Sequence, residues 1–409
     1  MKILTLTNLY PPHYVGGYEL RCRDVTEALR QEGHEVRVLT SDHGVAGAAA
    51  TGDQAHVDRR LKIHGLFGHP WLGIRKLAAQ ETHNNQVLRR TIADFGPDVV
   101  HVWCMGGLSK SLCHTLKQAG TPVVYDVSDH WVMRSREADV WLQWWNRRDG
   151  GIAARGARAL WTTVGHRRAL EAKAPTAPVD EIDFTNAYFT SARLRELTAR
   201  EGYAVDQASV VHCPVNTETF HGPVRSGDAP LQKWLWVGRI EADKGIHTAL
   251  KALDRTAVTE RRSLHVYGRG EPAYVRSLQA WAEERQLPVS WHSAQPHEMP
   301  EVYRQHDALL FTSEWEEPFA LTPLEAMACG TPVIGTMTGG SRELFRHGEN
   351  ALTYDAGDAE QLAERMGALA ADGALRARLS RMAQTEVRQR FSLPEITRQI
   401  EERLTIALA

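Results

Sequence analysis

SEWEEPFALTPLEAMACGTPVIG, residues Ser313 to Gly335, is the stretch from which the fold of this chain can be inferred. The apolar run before it predicts a short buried strand. Thr322 is expected to cap a helix that Pro323 begins, and Glu325 to complete a capping box. Gly330 ends that helix and leads into the next strand. The product is a helix N-terminus at the carboxyl end of a strand, where open α/β sheets bind anionic ligands.

Two carboxylates mark this site, Glu317 in the loop and Glu325 in the first helical turn, with seven residues between them. By themselves they also fit a capped helix beside a solvated loop carboxylate. Their context, EPF at 317–319 and LEAMACGTPV at 324–333, resembles the E-x7-E signature of family 4 retaining glycosyltransferases, the group 1 glycosyltransferases of the two-domain GT-B fold. The resemblance implies that Glu317 holds hydroxyls of a donor sugar and that Glu325 binds the ribose of its nucleotide. One departure is Ala320, where the family usually has Gly.

Length and composition agree with a globular protein of two domains. A chain of 409 residues is too long for one ordinary core. It is 43% apolar and 24% charged with a formal net charge of −2, so its charge balance does not call for nucleic acid as a partner. No apolar run reaches the roughly 20 residues that span a bilayer, and the N-terminal sequence has no signal-peptide anatomy. The 5 cysteines are widely spaced, form no metal or disulfide pattern and suit a reducing cytoplasm.

The N-terminal part opens as a βαβ unit. A strand at Lys2–Asn8, a helix at Tyr18–Gln31 and a strand at Glu35–Thr40 predict a parallel sheet with a right-handed crossover. Gly16 and Gly17 lie at the strand-to-helix turn, where glycines let backbone amides approach a phosphate or sugar closely. A plain tight turn is the alternative. The sequence GGYE at this turn resembles the family's N-terminal pattern, which implies that the loop lies under the donor phosphates and beside the acceptor.

The strand at Thr121–Val127 leads into the segment where the family carries a His-Asp pair, with the His close to the reacting sugar. In this chain Ser128 stands at the His position, Asp129 matches the Asp, and His130 follows. Either His130 reaches the site from a shifted loop, or Ser128 and a polar neighbour replace the missing imidazole. We expect Asp129, His130 and Glu317 as the catalytic residues, and a surface loop histidine is the alternative for His130.

Five tryptophans lie between residues 131 and 161. Aromatic faces stack on sugar rings, and they also suit a membrane interface. We expect Trp131, Trp141 and Trp144 to bind the acceptor, and packing of an inserted helix against the domain is the alternative.

Basic and aromatic residues are interleaved between residues 59 and 90. Trp71 and Leu72, for example, are followed closely by Arg75 and Lys76. A surface of this kind can rest on anionic lipid. The alternative is a solvated loop and helix whose arginine stems lie along the protein. Peripheral contact with a membrane is therefore one of two open interpretations.

The second domain opens with a strand at Trp234–Ile240 that ends beside a helix start. Arg239 and Lys244 at that end would neutralise a diphosphate leaving group, with the helix dipole adding to them. They match the family's G-R-x-x-x-x-K-G pattern, and Gly268 resembles the family element near the nucleotide. The residues expected to bind the donor are Gly16, Gly17, Arg239, Lys244, Gly268, Glu317, Phe319, Ala320, Leu321 and Glu325.

Both halves alternate strands with helices, so the predicted fold class is α/β with two doubly wound Rossmann-like domains. We expect residues 1–221 to form an acceptor-side domain and residues 232–392 a nucleotide-sugar-binding domain, joined by a polar linker. The resemblance to the GT-B fold implies that the domains face each other across a cleft. It also implies that the final helix, about residues 393–409, packs back on the first domain.

The resemblance implies a retaining glycosyltransferase that moves a sugar from a nucleotide diphosphate sugar to a glycan, glycolipid or other glycoconjugate. Same-face attack, with the departing phosphate helping to remove the acceptor proton, is the implied chemistry, without a metal or a further cofactor. A sugar-nucleotide epimerase, a phosphorylase and a non-catalytic sugar-nucleotide-binding protein are the alternatives. The expected partners are the nucleotide sugar and a glycan or lipid-linked acceptor, without nucleic acid. The expected location is the cytoplasm, with the inner face of the membrane as an option, and no oligomeric state is predicted.

Overall fold

The chain divides into two compact units. The computed structural model describes residues 1–45, 48, 54–66, 70–146, 166–256 and 262–409. One unit consists of Met1–Val211 and Thr397–Ala409, and the other of His212–Ile396. The division comes before residue 221, where the sequence placed it, because Val215 already packs in the second unit. Its amide donates to the Phe391 carbonyl at 2.8 Å.

The C-terminal segment belongs to the first unit. Glu401 Oε1 lies 3.0 Å from His34 Nε2, and the Arg403 guanidinium donates to Ser209 Oγ at 2.9 Å. These contacts hold the C-terminal segment against residues of Met1–Val211.

The first unit is built on a sheet whose described strands all pair in parallel. Its strands are β1 (Lys2–Leu6), β2 (Glu35–Ser41), β3 (Val57–Leu61), β4 (Val99–Val102), β5 (Val123–Val127), β6 (Ala187–Phe189) and β7 (Ser209–Val210). Its helices are α1 (Gly17–Gln31), α2 (Ile74–Phe95), α3 (Ser111–Ala119), α4 (Trp131–Ala138), α5 (Val140–Asn146), α6 (His166–Glu171) and α7 (Ala192–Arg200). The strand order is β3-β2-β1-β4-β5-β6-β7. The order reverses between β1 and β4, so the carboxyl ends of these two strands flank the switch point where doubly wound sheets bind ligands.

The second unit repeats this architecture. Its strands are β8 (Lys233–Val237), β9 (Ser263–Tyr267), β10 (Val289–His292), β11 (Ala308–Phe311), β12 (Val333–Thr336) and β13 (Leu352–Tyr354). Its helices are α8 (Ile246–Thr256), α9 (Pro272–Glu284), α10 (Met299–Gln305), α11 (Leu321–Ala328), α12 (Ala359–Ala371), α13 (Gly373–Arg390) and α14 (Leu393–Ile406), the last of which continues into the first unit. The strands, all parallel, follow the order β10-β9-β8-β11-β12-β13, so the switch point lies between β8 and β11.

The central strand β11 is apolar along its whole length because helices cover both faces of the sheet. In β11, Ala308 and Leu310 pack into one hydrophobic cluster, whereas Leu309 and Phe311 pack into another on the opposite face. The prediction of an α/β chain with two doubly wound domains is therefore confirmed.

Candidate functional site

The switch point of the second unit presents a lysine on a tightly fixed turn. Gly245, directly after Lys244, has φ +67°, and a Cβ there would lie 2.0 Å from the Thr312 carbonyl oxygen, so only glycine fits. The Thr312 hydroxyl donates to the Lys244 carbonyl at 2.8 Å, and the Glu314 amide donates to the Asp243 carbonyl at 2.8 Å. The loop after β11 therefore positions the turn after β8.

The Lys244 side chain points back at that loop. Its ammonium donates to Glu317 Oε1 at 2.7 Å, and the Ser313 hydroxyl donates to the same oxygen at 2.7 Å. The ammonium also lies 4.5 Å from the centroid of the Trp315 ring. The Lys244 and Glu317 side chains are 14% and 11% exposed. A cation and a carboxylate thus meet at the sheet edge, where solvent or a ligand can still reach them.

A glycine pair holds the backbone of Glu317. The Gly340 amide donates to the Glu317 carbonyl at 2.6 Å. Gly339 has φ +54°, and a Cβ there would approach the Glu317 carbonyl oxygen to 2.2 Å. Any other residue at 339 would push the Glu317 loop outward.

The helix after this loop, α11, begins earlier than the sequence predicted. Its N-cap is Ala320, whose side chain has no oxygen and makes no capping hydrogen bond. The prediction that Thr322 is the cap is wrong. The backbone is extended at Ala320 and becomes helical at Leu321, so Thr322 already lies inside the helix. An N-terminus without a side-chain cap leaves the amides of its first turn available to an anion.

Phe319 and Ala320 are buried, and the Phe319 ring stacks on His212 at 5.1 Å and contacts Phe391. Leu321 is half-buried and packs against the hydrophobic cluster that contains Phe319, Ala320 and Phe391. Contact of these three residues with a donor would therefore come from their backbone amides rather than their side chains.

Glu325 lies on the first turns of α11 and accepts a hydrogen bond from the Tyr303 hydroxyl at 2.7 Å. Because α11 begins at Leu321, the predicted capping box is absent. Burial, and then the neighbouring Glu325 carboxylate, raise the pKa of Tyr303, so its phenol remains a donor.

Two other residues of the predicted donor set have structural partners of their own. Arg239 is exposed and donates to Glu241 Oε1 at 2.7 Å instead of converging on Glu317. A Cβ at Gly268 would lie 2.0 Å from the Gly238 carbonyl oxygen, so glycine is required there for the close approach of β8 and β9.

In the first unit, Gly16 and Gly17 are exposed where α1 begins, Gly16 as the N-cap and Gly17 as the first helical residue. Gly16 has extended backbone angles, and a Cβ added to it would meet no atom within 4 Å. A tight turn therefore does not require this glycine. Its amide donates to the Glu19 carboxylate at 3.1 Å, and burial raises the pKa of Glu19.

The loop after β5 carries Ser128, Asp129 and His130. Asp129 accepts the Trp131 amide at 2.7 Å, and burial raises the pKa of its carboxyl. The His130 side chain is buried with Nδ1 3.0 Å from Met133 Sδ, which excludes the surface-loop alternative. The Ser128 hydroxyl is bonded to the side chains of Arg21 and Asp126. Ser128 therefore does not present its hydroxyl to a ligand, and the catalytic roles of Asp129 and His130 stay predictions.

The predicted acceptor tryptophans have different environments. Trp141 is 0% exposed and its indole donates to the Pro175 carbonyl at 2.8 Å, and Trp131 is 6% exposed. The prediction that these two stack on an acceptor is wrong, because both rings belong to the hydrophobic core. Trp144 is half-buried with its ring 5.1 Å from that of Trp71.

Two family models match the chain, one on each unit. "Glycosyl transferase 4-like domain" matches residues 16–182, and "Glycosyl transferases group 1" matches residues 230–386. Together they cover most of the chain and include the Lys244–Glu317 pair and the Gly16–Gly17 turn. The chain belongs to the group 1 glycosyltransferases.

Individual proteins agree with this assignment. D-inositol 3-phosphate glycosyltransferase of Xylanimonas cellulosilytica is 29% identical over 49% of this chain and 52% of its own length. Spore coat protein SA of Bacillus subtilis is 30% identical over 38% of this chain and 44% of its own. The aligned part is thus about half the length of these relatives. The crystal structure of Anabaena HepE in complex with UDP-glucose superimposes with a TM-score of 0.70 at 20% identity, covering 99% of this chain and 100% of HepE, and shows the shared GT-B fold.

Several residues of this group 1 glycosyltransferase were not assigned a role from its sequence. Ser313, Trp315 and Tyr303 contact the side chains of Lys244, Glu317 or Glu325, as described above. Ser313 and Trp315 lie within the signature stretch, which was the available signal. Tyr303 lies on a different helix, so its contact with Glu325 depends on tertiary packing.

The described ranges contain no group of three His, Cys, Asp or Glu side chains arranged to hold a metal ion. Within the same ranges, no helix of this group 1 glycosyltransferase is both long enough and apolar enough to cross a bilayer.

Proposed function

We propose that this protein transfers a sugar from a nucleotide diphosphate sugar to a glycan or lipid-linked acceptor, with retention of anomeric configuration. The observation that supports the proposal most is the Lys244–Glu317 pair beside the N-terminus of α11, whose N-cap residue makes no side-chain hydrogen bond. A cation, a carboxylate and open helical amides at one switch point suit a ligand that has both phosphates and sugar hydroxyls.

The donor would displace one contact and keep the others. The diphosphate would replace Glu317 as partner of the Lys244 ammonium, and the amides of Ala320 and Leu321 would bind its oxygens. Glu317, held by the glycine pair, would then accept hydrogen bonds from sugar hydroxyls. Arg239 is exposed and can turn from Glu241 to the phosphates. Charge built up on the departing diphosphate would be stabilised by groups that are already in place.

On the acceptor side, the Ser128–His130 loop supplies the Asp129 carboxyl group, whose pKa is raised by burial. In retaining transfer by same-face attack, the acceptor hydroxyl loses its proton to the departing phosphate. Asp129 would orient that hydroxyl. The rate would come from orientation and from stabilisation of the diphosphate charge.

Metal independence is a further part of the proposal. Lys244, Arg239 and the helix N-terminus supply the positive charge that a divalent cation would otherwise provide. Transfer should persist after treatment with EDTA, and loss of activity that Mg²⁺ or Mn²⁺ restores would contradict this part.

The test begins with thermal shifts against uridine, guanosine and thymidine diphosphate sugars, followed by transfer assays with the donor that binds. Release of nucleoside diphosphate only in the presence of an acceptor excludes an epimerase, and strict phosphate dependence would indicate a phosphorylase. NMR of the product reports the anomeric configuration.

Glu325→Ala should abolish transfer with little loss of stability. The matched variant Glu284→Ala, at an exposed carboxylate of the same unit, should keep both the transfer activity and the stability of the wild type. A purified chain that binds donors but transfers nothing would favour a non-catalytic sugar-nucleotide-binding protein.

An exposed surface on the first unit supports the lipid-linked acceptor. Trp71 is 55% exposed and Leu72 is 37% exposed, and Arg75 and Lys76 are exposed on the adjoining start of α2. Apolar rings beside cations suit the boundary of an anionic leaflet. The protein should sediment with vesicles containing phosphatidylglycerol and not with phosphatidylcholine alone. Equal recovery of wild type and Trp71→Ser/Leu72→Ser with anionic vesicles would contradict this surface.

A further inference from the structure

A buried carboxylate, Asp126, lies at the end of β5 and is bonded on every side. Its side chain is 0% exposed, and that of its partner Arg21 on α1 is 3% exposed. Arg21 Nη2 donates to Asp126 Oδ2 at 2.7 Å, and Nη1 donates to Oδ1 at 3.1 Å. The two-point geometry of this pair fixes the direction of both side chains.

Two further side chains complete the cluster. The Tyr18 hydroxyl donates to Asp126 Oδ1 at 2.9 Å, and the Ser128 hydroxyl donates to the same oxygen while accepting from Arg21. The Arg21 guanidinium also lies over the Trp103 ring at 4.8 Å, where the indole can stabilise its charge. Arg21, Asp126 and Ser128 therefore each contact the other two, and Tyr18 joins them through Asp126.

The charges of this cluster persist despite burial. Burial by itself would raise the pKa of Asp126, but the charge and hydrogen bonds of Arg21, together with Ser128, outweigh it and lower that pKa. Burial lowers the pKa of the neighbouring His101 to about 4, so the imidazole stays neutral and adds no positive charge. The ion pair is therefore present throughout the neutral range.

The cluster joins the two segments on which the proposed acceptor chemistry depends. Tyr18 follows the Gly16–Gly17 turn directly, and Ser128 directly precedes Asp129. Tyr18 and Ser128 both donate to the Asp126 carboxylate. This one carboxylate therefore fixes the distance between the Gly16–Gly17 turn and the loop that carries Asp129. Resting on the proposed function, we infer that Asp126, with Arg21 and Ser128, is a positioning residue that holds Asp129 at the reacting distance from the Gly16–Gly17 turn.

A purely structural role would not require this arrangement. Well-packed apolar side chains of similar volume can replace a buried ion pair without loss of stability. The four polar groups instead lie where the carboxyl end of β5 meets the start of α1. The hydroxyl of Ser128, at the position of the family's His, serves this cluster instead of the substrate.

The test is the double variant Arg21→Gln/Asp126→Asn, which removes both charges and leaves no unpaired buried ion. Misplacement of reacting groups by about 1 Å can cost about 10²-fold in rate, so kcat should fall by about that factor. The KM for the donor and the melting shift with nucleoside diphosphate should not change. The matched control is Glu81→Gln, which breaks the equally buried Glu81–His64 pair of the same unit, at 2.6 Å, without touching either segment. It should alter stability and leave kcat unchanged.

Wild-type kcat in the folded double variant would overturn the inference while leaving the proposed function intact. A wild-type protein that transfers no sugar would overturn the proposed function and the inference with it. Tyr18→Phe decides the matter if the double variant does not fold. It removes one hydrogen bond to the Asp126 carboxylate and should lower kcat about tenfold at an unchanged donor KM. An unchanged kcat in that variant would overturn the inference as well.

Discussion

Each of the two sheets carries an ion pair at the carboxyl ends of its strands, and the two pairs differ in their access to solvent. Lys244 and Glu317 in the second unit are 14% and 11% exposed, whereas Arg21 and Asp126 in the first are 3% and 0% exposed. The Lys244–Glu317 pair lies beside open helical amides. The Arg21–Asp126 pair is enclosed by Tyr18, Ser128 and Trp103.

The difference shows what each pair can do. A pair that solvent still reaches loses less when it is broken than a fully buried one does, so either member can exchange its partner for a ligand at a lower cost. A buried pair cannot exchange, because the group left behind would be an uncompensated charge in the interior. The second unit thus holds a reactive pair and the first a fixed one.

Arg21→Ala should have the largest effect on stability. Leaving the Asp126 carboxylate buried without its partner should lower the free energy of unfolding by about 3–5 kcal/mol. Urea denaturation measures this loss. Arg60→Ala, which breaks an exposed Arg60–Asp58 pair, is the control and should cost less than about 1 kcal/mol. Equal losses in the two variants would erase the contrast between buried and exposed pairs.

Lys244→Ala should show the opposite pattern, with a large effect on activity and a small one on stability. Removing a preorganised charge from the departing diphosphate should lower kcat/KM by about 10²–10³-fold, while the melting temperature stays near that of the wild type. Lys251→Ala, at an exposed lysine of α8, should leave kcat/KM unchanged. A Lys244 variant that keeps its activity would show that this lysine does not bind the donor.

His101, whose neighbours include both members of the fixed pair, predicts how stability depends on pH. Burial lowers the pKa of His101 to about 4, so the unfolded chain binds this proton more tightly than the native state does. The contribution of His101 is therefore complete above its unfolded pKa of about 6.5 and is lost as the pH falls toward 4. Between pH 7 and pH 5 this loss should lower the free energy of unfolding by about 2 kcal/mol. Urea midpoints at both pH values should differ less in His101→Gln than in the wild type, and an identical difference would contradict the assignment.

Tyr303→Phe should have the smallest effect. It removes one hydrogen bond to Glu325, which is about 1 kcal/mol, so the KM for the donor should rise about fivefold with kcat unchanged. Tyr203→Phe in the other unit serves as the control. If both variants have the KM of the wild type, Tyr303 does not orient Glu325 for the donor.

Local patterns predicted the elements of both units well. The last helix was expected from residue 393 and runs over Leu393–Ile406, and the helix expected at Tyr18–Gln31 runs over Gly17–Gln31. The predictions that depended on side-chain burial fared worse. Trp131 and Trp141 were expected to bind the acceptor because aromatic faces stack on sugar rings, yet both pack inward. Periodicity alone could not decide this, since α4 and α5 are short and their orientation depends on the whole domain.

The sequence by itself determined the fold class, the family and the segment that carries Glu317, because strand and helix periodicity and the signature at 313–335 are local properties of the chain. Only the tertiary structure decided which side chains pair. Lys244 and Glu317, and likewise Arg21 and Asp126, are far apart along the chain and meet because parallel strands align their carboxyl ends. The physical reason is that the pairing and burial of side chains depend on which strands are neighbours in the sheet. No local sequence pattern specifies that spatial order.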